Sequence, residues 1–156
     1  MVMRIKFLTA YAILVAGVFG FTPLVSAETD LASLPEGPIR DRVELMEEIG
    51  AAAKKINEAA KAGDTQAVIA PAEEIARLTP KFAALFPEGS THPNSRSKSS
   101  IWTNPDEFEA YNDYMAKYAL AIAAAARDGG NVKKAVKKMF KSCKSCHKKY
   151  RIPDDD

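Results

Sequence analysis

The chain has 156 residues, 22 Lys or Arg against 20 Asp or Glu, and 47% hydrophobic residues. That length suits one domain, and a net charge of +2 gives no ground to expect a nucleic-acid partner. With two Cys in all, the chain is no disulfide scaffold.

Arg4 and Lys6 precede an apolar run from Phe7 to Phe21, and Val25-Ser26-Ala27 follows Pro23. This order is that of a secretory signal peptide cut after Ala27. The apolar run is also nearly long enough for a membrane anchor, but it breaks at Pro23 just before the cleavage tripeptide. The expectation is therefore a leader over residues 1–27, a mature domain over 28–156, export to the bacterial periplasm, and no membrane span after cleavage. Loss of Arg4 and Lys6 makes the mature charge formally zero.

Pro38 opens a helical pattern in which Ile39, Val43, Met46, Ile49, Ala53 and Ile56 recur at three- and four-residue steps. Gly63 should stop this first helix near Ala62. A second helix is expected from about Asp64 or Pro71 to Leu85, with Val68, Ile75, Leu78, Phe82 and Leu85 inward and Pro80 bending or splitting it. A polar connector follows from Phe86 to Asn104, with His92 an exposed loop residue. Asn104 should cap a third helix to about Arg127, with Phe108, Tyr111, Met115, Tyr118 or Ala119, and Ile122 inward. Gly129-Gly130 ends it. Asn131 should cap a fourth helix that presents Val132, Val136, Phe140, Cys143, Cys146, His147 and Tyr150. The fold class expected is all-α, an antiparallel up-down four-helix bundle.

The fourth helix carries Cys143-Lys144-Ser145-Cys146-His147, the C-x-x-C-H spacing of covalent haem attachment. Residues three apart on a helix share a face, so two thiols can reach the vinyl groups on neighbouring edges of one porphyrin and form thioethers. His147 then offers its imidazole to the iron. A thioredoxin-like dithiol would want a βαβ setting, which the helical pattern lacks. A structural zinc would want about four ligands, and His92 lies far off. A disulfide across two residues would constrain little. One covalent haem c is the cofactor expected. The motif lies in a run of ten Lys or Arg from Arg127 to Arg151, opposed by Asp128 alone. Such a run is commonly a solvated face, and here it also suits steering of an acidic partner.

Four stretches together resemble the class II cytochromes c, the family of cytochrome c prime and its low-spin c-556-type relatives. They are Arg42-x-x-x-Met46-x-x-x-Gly50, Phe86-Pro87-Glu88-Gly89-Ser90, Ile101-Trp102-x-x-Pro105-x-x-Phe108, and Cys143-x-x-Cys146-His147-x-x-Tyr150-Arg151. They span nearly the whole mature domain in the family's order, and the last is specific alone. Ala51 to Ala53 depart from relatives that often carry a larger residue there.

The resemblance implies a haem packed inside the bundle. Arg42, Met46 and Gly50 share one stripe of the first helix. If that stripe faces the haem, Met46 points at the iron opposite His147, Arg42 meets a propionate, and Gly50 admits the porphyrin edge. The bland readings are a surface pair of Arg42 with Glu36 or Glu44, and a helix contact at Gly50. Trp102 is either core or haem rim, Tyr150 is a core anchor beside the haem, and Arg151 lies near the proximal imidazole. Two function classes follow. One is an electron carrier with His147 and Met46 as metal ligands. The other is a five-coordinate haem protein that takes NO or CO. No enzymatic residue set is visible. Periplasmic redox proteins are the partners implied, and relatives of this kind often form homodimers.

Overall fold

Two loop glycines and two capping residues divide the chain into long helices. The structure is a computed structural model that describes residues 30–153; the leader expected over 1–27 lies outside the described residues. The helices are α1 (Pro38–Ala62), α2 (Ile69–Phe82), α3 (Ser100–Thr103), α4 (Pro105–Arg127) and α5 (Val132–Tyr150). The chain is all-α, and the four long helices form an up-down bundle.

Each boundary has a local cause. Pro38 occupies the first position of α1, where its missing N–H is not needed. Gly63 ends α1 with φ 79°, a left-handed conformation that costs a residue without Cβ nothing. Asp64 Oδ1 then accepts from the backbone N–H of Gln66 and Ala67, so the chain turns before α2 begins at Ile69, between the two starts the sequence offers. Pro71 falls in the first turn of α2. Pro80 neither splits nor ends α2, which runs to Phe82 and then tightens into a 3-10 turn over Ala83–Leu85. Asn131 caps α5 as expected, its side chain accepting from Lys134 N–H at 2.9 Å. Asn104 is the N-cap residue of α4 by position, but its side chain makes no capping bond and donates to Thr103 Oγ1 instead.

Three of the four seams between neighbouring long helices are well packed: α1 on α2, α2 on α4, and α4 on α5. Ala72, Ala119 and Ala123 are almost fully buried where small side chains let α2 and α4 close up. The fourth seam, between α1 and α5, is sparse. Ile56, Val68, Ile75, Ile122 and Met139 are all fully buried. In an up-down bundle these positions fall near the α1–α2 and α4–α5 loops, so that end is filled. The other end, where α1 begins and α5 finishes, holds the space described below.

The core stripe of α1 differs from the expected one. Arg42, Leu45, Ile49, Ala52 and Ile56 are its buried residues, whereas Met46 and Ala53 are half-buried. The expected stripe blended two faces, one on the core and one on the open seam. His92 is half-buried rather than exposed, and its Nδ1 accepts from Asn94 N–H. The connector is tied to the end of α5. Lys98 N–H donates to Tyr150 O at 2.9 Å and Ile152 N–H to Arg96 O at 2.7 Å. Lys98 Nζ donates to Lys148 O, which satisfies one of the free carbonyls at the helix end.

Candidate haem site

The open α1–α5 seam encloses two adjoining cavities of about 330 and 380 Å³. Both lie within the roughly 300–1,000 Å³ range of cofactor sites. Met46, Phe82, Phe108, Cys146 and His147 line both, so they are lobes of one slot. The first lobe adds Arg42, Arg96, Arg151, Ser95 and Ser97, with Glu47 its one acid. The second adds Ile49, Gly50, Ala53, Met115, Phe140 and Cys143, and is mainly apolar. One end of the slot is thus cationic and the other greasy, as an amphiphilic flat ligand with carboxylates at one edge requires.

On α5, Cys143, Cys146 and His147 are half-buried and turned to this slot. Burial pushes the Cys143 thiol up, and burial and the neighbouring Cys143 push Cys146 up to about 11. Burial holds His147 below its usual value, and repulsion from Arg151 and Arg96 adds to this. The imidazole is therefore neutral near pH 7 and keeps a nitrogen lone pair for a metal.

Arg42 is 2% exposed and makes neither expected ion pair; Arg40 is the residue that meets Glu36. Its guanidinium donates to Ser90 O at 2.9 Å, Ser90 Oγ at 3.0 Å and Ser95 Oγ at 2.8 Å, and lies 4.6 Å from the Phe86 ring centre. It therefore fastens the connector across the first lobe. Burial depresses its pKa, but a guanidinium remains charged. Arg42→Met is expected to lower stability by roughly 1–3 kcal/mol, because Ser90 and Ser95 lose a buried donor. Urea unfolding followed by circular dichroism measures this.

Gly50 is exposed, and a Cβ placed there would meet nothing within 4 Å. Helix contact is therefore not its role. Trp102 lines neither lobe. Its indole N–H donates to Phe86 O and Pro87 O, and the ring packs behind the connector, 6.4 Å from Phe86. Contact with the haem rim is thus not supported by its position. Tyr150 is buried on the first lobe and meets Phe108 and Tyr111 edge-on at 5.2 and 5.7 Å. Arg151 lines the same lobe.

The residues present fit a haem. Arg42 Nε and the Tyr150 hydroxyl are buried without a partner, and both residues line the first lobe. Propionate oxygens are acceptors that would serve such donors. Two thiols and a neutral imidazole stand on one wall, with the Met46 thioether on α1 across the slot. Arg96 was missed by sequence reasoning, since a base in a Ser-rich connector carries no periodic signal. Asn112, buried on α4 and lining the second lobe, was missed as well.

The family model described as Cytochrome C' matches residues 37–151. A cytochrome c' of Pararhodospirillum photometricum is 36% identical over 83 residues, 51% of this chain and 66% of that protein. A cytochrome c-556 of Agrobacterium fabrum (strain C58 / ATCC 33970) is 31% identical over 120 residues, 74% of this chain and 82% of that protein. The structure of cytochrome c prime from Shewanella frigidimarina aligns with a TM-score of 0.68 at 25% identity, over 77% of this chain and 100% of that one. With a slot built for a haem and a family match over the whole bundle, this chain belongs to the cytochrome c' family of haem proteins.

Proposed function

We propose that this chain is a one-electron carrier with a single haem that Cys143 and Cys146 would attach and whose iron His147 and Met46 would hold. The supporting observation is that Met46 and His147 line both lobes of the slot from opposite helices. A bound haem supplies a one-electron iron couple whose potential is set by its axial ligands and surroundings. The two cysteine sulfurs hold the group to α5. His147 presents a neutral nitrogen. Met46 presents a soft thioether, which favours the reduced metal. Arg42, Arg151 and Tyr150 offer charge and hydrogen-bond donors to the carboxylate edge. Phe82 and Phe108 exclude water from the centre of the slot.

A second reading has support from a specific feature. Gly50 and Ala53 leave the wall beside Met46 thin, and a small diatomic such as NO or CO would fit next to a thioether that only packs. Adding CO to the reduced wild-type protein tests the choice. The carrier reading expects the absorption spectrum to stay unchanged over minutes. Prompt formation of a CO spectrum supports the gas binder.

The leader, cleaved after Ala27, places the mature chain in the periplasm. The intact mass of the mature protein is expected to equal residues 28–156 plus one haem. A mass that includes residues 1–27, found in the membrane fraction, contradicts this.

A further inference from the structure

We propose that the lysine stripe of α5 beside the slot is the docking face for an acidic redox protein; this rests on the electron-carrier reading. All the lysines of α5 are exposed. Lys149 is held by Glu107, and the others have no ion-pair partner among the described residues.

Their positions are not equivalent. Lys133, Lys137, Lys144 and Lys148 follow one another by four, seven and four residues, which keeps them on one stripe. Phe140 lies three residues after Lys137, and His147 three after Lys144. Residues at that spacing are surface neighbours on a helix. Phe140 and His147 both line the slot, so this stripe forms its α5 rim. Lys134 and Lys138 lie about 100° further round the helix and away from that rim.

The opposite rim, on α1, is acidic beside the first lobe, while Lys54 lines the second. Glu44, Glu47 and Glu48 are exposed on α1, and Glu47 lines the first lobe. A uniformly anionic membrane would meet both rims at once and be repelled by the acidic stretch Glu44, Glu47 and Glu48. A protein with a localised acidic patch can meet α5 alone, so this charge pattern sets orientation as well as encounter rate. The charge thus borders the slot at Phe140 and His147.

The test uses the haem-loaded mature protein and stopped-flow mixing with plastocyanin, an acidic copper protein, as probe. A cationic ruthenium hexaammine reagent serves as control. Electron exchange with plastocyanin is expected to slow roughly tenfold as salt rises from low to about 0.2 M, where screening acts within about 8 Å. Lys133→Glu with Lys137→Glu should slow it several-fold at low salt. Lys134→Glu with Lys138→Glu changes the net charge equally and should cost much less. Equal losses in the two pairs, or a rate flat in salt, overturn the docking face while leaving the carrier reading intact. Failure of the ruthenium reagent to exchange electrons at all overturns the carrier reading and the docking face with it. Sedimentation with phosphatidylglycerol vesicles should show no binding. Vesicle binding lost in the first pair would assign the face to membranes and overturn the proposal.

Discussion

Met46→Ala is expected to lower the reduction potential of the haem protein and to open its iron to CO. A thioether is a soft donor that stabilises ferrous iron relative to ferric. Removing it leaves His147 as the one protein ligand, so the oxidised state gains. Axial ligation commands a span of roughly 0.8 V, and a loss on the order of 100 mV is expected for this substitution. Met46 is half-buried and lines both lobes, so truncation widens a cavity that already exists. The stability cost is therefore expected near the low end of the range for large-to-small changes, about 2 kcal/mol. Potentiometric titration of wild type and variant reads the shift. An unchanged potential with CO binding already present in the wild type would mean that Met46 only packs.

Cys143→Ser combined with Cys146→Ser is expected to make all of the haem extractable by acidic organic solvent, while the wild type releases none. A serine hydroxyl cannot make the thioether, so the group would be held by packing and axial ligation alone. Both positions line the second lobe and are half-buried. The loss of attachment should therefore outweigh any loss of packing. In the folded chain without haem, burial keeps both thiols protonated near neutral pH. Full covalent retention in the double variant would remove the assignment of these residues.

The parts of this molecule that local chemistry dictates could be read from the chain. Gly63, Gly129 and Asn131 mark helix ends through backbone conformation and capping, and the structure has the ends there. The four-helix bundle follows from long amphipathic stretches with short connections. What could not be read depends on contacts between distant segments. Arg42 could be read as a surface base or a propionate partner, but not its hydrogen bonds to Ser90 and Ser95, which lie 48 and 53 residues along the chain. Arg96 enters the slot because its connector pairs with the tail after α5, a pairing with no periodic trace. On α1, one periodic pattern served two faces. Only packing separates Leu45 and Ala52, which face the core, from Met46 and Gly50, which face the slot. Asn104 kept its place and lost its capping bond, because its side chain found Thr103 instead.

The central claim is that Met46 and His147 both ligate the iron. The absorption spectrum of the oxidised wild-type protein tests it most directly. A six-coordinate iron with a sulfur ligand is expected to be low-spin and to show a weak long-wavelength sulfur–iron band. A high-spin spectrum without that band would contradict the claim and leave a five-coordinate iron that binds small gases.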